Sequence, residues 1–177
     1  MNKALFLDRD GVINIEKEYL YTIADFEFID GVFDTCQYFQ DQGYLIVIIT
    51  NQAGIARGKY TENDFANLTQ WMLEQFTQKG ILISQVYHCP HHPNFTGECP
   101  CRKPNPGMLL EAQQAFKLDL DKSILVGDKE GDIQAGITAG VRQNILVRSG
   151  HPIDETNSKA TQIIDSIKDL AALFQST

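Results

Sequence analysis

Positive charge is scarce in this chain: 15 Lys and Arg stand against 23 Asp and Glu over 177 residues, a net charge of −8. A nucleic-acid backbone requires a basic face, so no nucleic-acid partner is expected. An anionic small molecule would have to be met by local basic groups rather than by a global field. Long hydrophobic runs are missing too. The apolar stretch Tyr44 to Ile49 has only a strand's length, far short of the roughly 20 residues that cross a bilayer, and no membrane partner is expected. The amino terminus carries one Lys and a short apolar run before charges begin, which is not a secretory pattern, so a cytoplasmic setting is expected. Repeats, low-complexity tracts and linkers are absent. A length of 177 residues suits one domain, 1–177, with a substantial core, and a monomer is expected.

What is present is an alternation of strand and helix patterns. Ala4 to Leu7, Tyr44 to Ile49, Gln85 to His88, Ile124 to Val126 and Ile145 to Val147 read as strands. Between them, Val32 to Gln42, Phe65 to Gly80, Met108 to Phe116 and Ile133 to Ala139 have helical spacing, and Ser166 to Phe174 closes with a helix. Thr61 with Asp64 resembles an N-terminal cap. Trp71 and Cys36 read as core. The predicted fold is α/β, a doubly wound, mostly parallel sheet with helices on both faces.

The chemistry sits at strand ends. Asp8 and Asp10 follow the first apolar run, and Gly11 lets the backbone turn away. Two acids this close repel unless a cation sits between them or one holds a proton. Such a pair suits a magnesium ion, one carboxylate as nucleophile and the other as general acid and base. The second strand ends in Thr50-Asn51-Gln52, Arg102-Lys103-Pro104 precedes a helix opening at Pro106, and the third apolar strand ends in Gly127-Asp128. In open parallel sheets, ligands bind outside the carboxyl ends of the strands, where these groups gather.

Cysteine is scarce, yet three of the four lie together. Cys89 and His91 are one residue apart, Cys99 and Cys101 likewise, and seven residues separate the pairs. Three thiolates and an imidazole on a Pro-containing loop match a closed tetrahedral zinc site, structural because no ligand position stays open. A Cys-x-Cys disulfide would be strained, and cytosolic chains seldom keep bridges. His92 is the alternative to His91. Such a loop, ending beside Arg102, would pre-organise Lys103.

Taken together, Asp8-Arg9-Asp10-Gly11, the segment Thr50 to Gly58, Cys89-Pro90-His91-His92-Pro93 and Cys101-Arg102-Lys103-Pro104 resemble the haloacid dehalogenase superfamily of phosphohydrolases. Within it they are similar to the heptose 1,7-bisphosphate 7-phosphatases, small members without a large cap domain, with histidinol-phosphate phosphatases as near relatives. The resemblance implies a magnesium-dependent phosphatase in surface-polysaccharide precursor synthesis. Asp8 would be the nucleophile and Asp10 the acid and base. Magnesium would be held by the Asp8 carboxylate, the Asp10 carbonyl and Asp128. Thr50, Asn51 and Lys103 would hold the transferring phosphoryl group, and the family pattern favours His91 over His92 on zinc. Lys129 would orient Asp8 or reach the phosphate; Asp132 would support the metal through water or cap the following helix. The sugar-phosphate rim is expected from Glu16, Lys17, Glu18, Tyr19, Gln52, Ala53, Arg57 and Arg102, with Arg57 or Arg102 on a second phosphate. Ala53 stands where relatives often carry serine, and Glu18 where glycine is common.

Overall fold

The computed structural model describes residues 1–175. Its described residues form a six-stranded sheet, parallel throughout, of β1 (Lys3–Leu7), β2 (Tyr44–Asn51), β3 (Ile83–Cys89), β4 (Ile124–Gly127), β5 (Gln143–Val147) and β6 (Gln162–Ile164). The spatial order is β3-β2-β1-β4-β5-β6. The chain therefore starts at the centre, winds outward through β2 and β3, and returns to the other side of β1. Between β1 and β4 lies the switch point, the crevice where open α/β sheets bind ligands.

Strand parity sorts the core into two layers. Leu5 and Leu7 of β1, Ile46 and Ile48 of β2, and Ile124 and Val126 of β4 point to one face. There they meet Val32, Cys36 and Phe39 of helix α1 (Val32–Asp41) and Leu68, Met72 and Phe76 of α2 (Glu62–Gln78). Ala4, Phe6, Val47, Ile49 and Leu125 point to the opposite face. They pack against Met108, Leu109 and Ala112 of α4 (Gly107–Phe116) and Ile133 and Ala135 of α5 (Glu130–Ala139). A strand covered on both faces is apolar at every position, which is why the β1 and β2 runs do not alternate. Each such Leu or Ile contributes roughly 1.5–3 kcal/mol of burial, before chain entropy is subtracted. Thr61 caps α2 as expected: its side chain accepts from the Asp64 N–H at 3.0 Å, and Asp64 Oδ2 accepts from the Thr61 N–H at 2.9 Å.

Three stretches differ from the sequence expectation. Strand β6 was not predicted. At the carboxyl end, Ile167–Asp169 form a tighter 3-10 turn, and only Leu170–Phe174, α6, is α-helical. Within the cysteine segment a single helical turn, α3 (Pro93–Thr96), is capped by His92, whose ring Nδ1 accepts from the Asn94 N–H at 3.1 Å.

Candidate active site

β1 ends at Leu7, one residue before the first acid, and the Asp8 N–H continues the ladder by donating to the Val126 carbonyl at 3.0 Å. Asp8 is thus locked to the strand that carries Asp128. The chain then turns around the Arg9 carbonyl, which accepts from the N–H groups of Val12, Ile13 and Asn14. Gly11 takes φ +88°, and a side chain there would strike the Asp128 carboxylate. Asp8, Asp128 and Asp132 bring one carboxylate oxygen each within 4.8 Å of the others, all buried.

Lys103 reaches into this cluster. Its Nζ lies 3.2 Å from Asp8 Oδ1 and 2.7 Å from Asp132 Oδ1, and donates to the Ile49 carbonyl at 3.0 Å. Burial disfavours its charge, but Asp132 and Asp8 outweigh that and hold it protonated, above its ordinary value. Asp8 is displaced the other way. Burial, helped by Asp132 and Asp128, raises it well above the carboxylate range despite Lys103. Three acids around one lysine leave an excess of negative charge, and Asp128 Oδ1 is buried without a hydrogen-bond partner. An oxygen-seeking divalent cation fits these residues: hard carboxylate donors, surplus charge and an unused lone pair.

Asp10 has a different environment. Its Oδ1 accepts from Arg9 at 2.9 Å and Asn14 at 3.0 Å, and its Oδ2 from Gln52 at 3.1 Å. Burial alone would raise its pKa; the Arg9 guanidinium and these bonds bring it below the usual value. The two acids of one Asp-x-Asp pair thus sit in different environments: burial among carboxylates favours the neutral form of Asp8, and the Arg9 guanidinium and three hydrogen bonds favour the ionised form of Asp10.

A cavity of about 310 Å³ opens over these groups. Of the residues predicted for the site, Asp8, Asp10, Glu16, Lys17, Glu18, Tyr19, Asn51, Gln52, Ala53, Lys103, Asp128 and Lys129 line it. Three do not. Thr50 is fully buried, its hydroxyl accepting from Gln52 Nε2 at 2.9 Å. Arg57 stacks over Phe95, with NH2 3.2 Å from His92 Nε2, and Arg102 donates to the His91 carbonyl at 3.4 Å. Several side chains that do line it have partners other than substrate. Asn51 Oδ1 accepts from the Lys103 N–H at 3.1 Å and its Nδ2 donates to the Lys103 carbonyl at 3.2 Å, so it clamps the lysine's backbone. Gln52 is buried against Asp10 and Thr50 rather than exposed at a rim. Asp132 stands at the third position of α5, where its Oδ2 accepts from the N–H groups of Asp128 and Lys129. It is therefore not the N-cap residue expected, a position Lys129 takes; it caps from within the first turn and also pairs with Lys103.

His151 was not foreseen. It follows β5, donates its N–H to Asp128 Oδ2 at 3.0 Å, and places Nδ1 2.5 Å from the same oxygen. Its Nε2 lies 3.7 Å from Glu16 across the cavity. A usable signal existed: loops after neighbouring parallel strands open on one edge, so a His just beyond β5 belongs with Asp128 beyond β4.

The cysteine site is assembled in part. Cys89 and Cys101 are joined as a disulfide, and Cys99 Sγ lies 3.3 Å from each sulfur. The group of possible metal ligands here holds three cysteines and no histidine, so the expected set including His91 is not gathered. The chain passes close because Cys89 ends β3 while the backbone folds back after α3, with Arg102 donating its N–H to Cys99 Sγ at 3.3 Å. With that bridge reduced, the three thiolates, one already accepting an N–H, would be a donor set that fits zinc.

A family model described as HAD-hydrolase-like matches residues 100–170. The chain is 46% identical to the D-glycero-beta-D-manno-heptose-1,7-bisphosphate 7-phosphatase of Haemophilus influenzae, over 99% of this chain and 98% of that protein. It is 54% identical to the D-glycero-alpha-D-manno-heptose-1,7-bisphosphate 7-phosphatase of Campylobacter jejuni, over 82% of each. Among solved structures, the D,D-heptose 1,7-bisphosphate phosphatase of B. bronchiseptica, complexed with magnesium and phosphate, superposes with a TM-score of 0.85 at 26% identity over 97% of both chains. With this identity spread over nearly its whole length, and with the Asp8, Lys103 and Asp128 constellation at the switch point, the chain belongs to the heptose-bisphosphate phosphatase family of haloacid dehalogenase-like hydrolases.

Proposed function

We propose that this protein removes the 7-phosphate of D-glycero-D-manno-heptose 1,7-bisphosphate through an aspartyl-phosphate. The observation that carries the reading is the buried Asp8, Lys103, Asp128 and Asp132 cluster under a cavity wide enough for one sugar phosphate. Asp8 attacks phosphorus and the bond to the sugar oxygen breaks, while Asp10 delivers a proton to that oxygen. Asp10 then takes a proton from the water that attacks phosphorus, and Asp8 leaves as a carboxylate. Lys103 neutralises charge on the phosphoryl oxygens, and Asn51 fixes its backbone. Lys129, a cavity residue in no ion pair among the described residues, is a further cation for an anionic substrate. Asp8, Asp128 and the Asp10 carbonyl would hold magnesium, which supplies charge neutralisation at the transferring group.

Zinc, bound by Cys89, Cys99 and Cys101 in their reduced state with His91 as fourth ligand, is part of the same reading. His92 Nδ1 already accepts from the Asn94 N–H and its Nε2 faces the Arg57 guanidinium, which favours His91 as the ligand. A cytoplasmic setting, where thiols stay reduced, agrees with it.

The test compares heptose 1,7-bisphosphate in both anomers with histidinol phosphate, using purified protein and magnesium. The expected result is a kcat/KM at least tenfold higher on one heptose anomer, since hydrogen bonds to charged groups separate substrates by about 1.5–3 kcal/mol. Preference for histidinol phosphate would overturn the substrate assignment while leaving the chemistry standing.

A further inference from the structure

Behind Asp10 lies a set of polar contacts that the reaction as described does not use. Tyr60, 7% exposed, donates its hydroxyl to Gln52 Oε1. The Gln52 amide nitrogen donates one hydrogen to Asp10 Oδ2 at 3.1 Å and the other to Thr50 Oγ1 at 2.9 Å. Only one orientation of the amide serves all three partners. Asp10 Oδ2 accepts from the amide nitrogen here, and the Thr50 hydroxyl sends its own hydrogen toward the Asn51 carbonyl at 3.4 Å. Turning the amide over would set Oε1 against the Asp10 carboxylate. Burial pushes the Tyr60 phenol up to about 12, so it remains a donor at any working pH.

The ring that delivers this hydroxyl is itself held. It stacks on Tyr21 with centroids 5.6 Å apart, and any side chain at Gly54 would collide with it. That explains a glycine two residues after Gln52: it lets the Tyr60 ring lie against the turn that follows β2.

We propose that Tyr60 and Gln52 are positioning residues, which hold the Asp10 carboxyl group for proton transfer to the bridging oxygen and then from the attacking water. The proposal rests on the phosphatase reading and adds to it how the acid and base is aimed. Neither residue needs to touch the reacting atoms. Their effect belongs to the step in which a proton must arrive, because a misplaced acid loses proton transfer while the nucleophile and Lys103 stay in place.

The experiment uses the full chain with magnesium, enzyme in excess, and single-turnover release of the leaving group. One ester is heptose 1,7-bisphosphate, whose alkoxide leaving group needs a proton; the other is p-nitrophenyl phosphate, whose nitrophenolate leaves without one. Tyr60→Phe keeps the stacked ring and removes only the hydroxyl. The loss of cleavage rate on the heptose ester should exceed the loss on the aryl ester by about tenfold or more, as a fraction of the 10²–10⁴ that a positioned acid supplies. The loss should appear in kcat rather than KM. Gln52→Met, which removes the contact to Asp10 directly, should show the same split with a larger loss. Equal losses on both esters, no loss on either, or a change confined to KM would overturn the inference while leaving the phosphatase reading intact. Wild-type protein inert toward both esters would overturn the phosphatase reading and this inference with it.

Discussion

Asp8 is costly to the fold and, in the proposed reaction, is the nucleophile. Its carboxyl is buried beside Asp128 and Asp132, which raises its pKa well above the ordinary value even with Lys103 at 3.2 Å. An acid shifted this way stabilises the fold fully below its unfolded value, and that stability is lost as pH rises through the folded value. Ionising Asp8 therefore works against folding unless a cation is bound. Asp8→Asn should abolish turnover, because an amide does not attack phosphorus. It should also raise the stability of metal-free protein by about 0.5–2 kcal/mol, a few degrees in thermal midpoint for a chain of this size. A phosphate-release assay checks the first half and calorimetry with and without chelator the second; a metal-free midpoint below wild type would contradict this account. At this scale the gathering of Asp8, Asp128 and Lys103 was legible, since each stands beside an apolar run or a proline that fixes its place. The contacts of Gln52 to Asp10 and Tyr60, and His151 altogether, were not foreseen. What Gln52 does depends on Tyr60 eight residues on and Asp10 forty-two residues back, contacts that no local pattern encodes.

Two elements converge on Lys103, and they are separable. The cysteine segment approaches it from one side, through Cys101 and Arg102. From the other, β2 ends in Asn51, whose side chain bonds both backbone groups of Lys103. Cys99→Ser should abolish zinc binding, expected at about one ion per chain in protein purified under reducing conditions, and lower stability by several kcal/mol, since metal-binding free energy is folding free energy. Asn51→Ala should retain zinc yet lower kcat by about tenfold, the range in which small misplacement of a charged group is felt. Metal analysis beside kinetics distinguishes the two; zinc-free wild type with Cys99→Ser at wild-type stability would remove zinc from the account. The sequence shows long elements well and short ones poorly. β2 and α2 carry enough apolar positions for their period to be read, whereas β6 is three residues, Gln162–Ile164, paired on one side only with β5. Its place follows from tertiary pairing and not from its own pattern. The turn of α3 likewise depends on the His92 cap and was read as loop.

For the molecule as a whole, the question is how a chain of net charge −8 would attract the proposed substrate, which carries two phosphates. The field of the whole protein opposes it, so recognition has to come from cations placed where each phosphate lands. Lys103 and Lys129 line the cavity over the acid cluster. A second positive region sits beside the cysteine segment, where Arg57 and Arg102 both bear on His92; desolvation and these two guanidiniums hold that imidazole below its ordinary pKa, so it stays neutral between them. Neither arginine lines the cavity itself, so they suit a group on the far end of the substrate and not the phosphoryl being transferred. A charge-assisted contact of this kind contributes roughly 1.5–3 kcal/mol, which predicts a kcat/KM for the bisphosphate about tenfold or more above that for heptose 7-phosphate. Arg102→Ala should remove most of that gap while the slower monophosphate reaction persists, because its reacting phosphate is held by Lys103 and the metal. Raising the salt concentration should narrow the gap as well, since contacts near the surface are screened. Equal kcat/KM on the two heptose phosphates, or an Arg102→Ala variant that loses both reactions in proportion, would assign this arginine to holding the loop through the His91 carbonyl and not to reading the second phosphate.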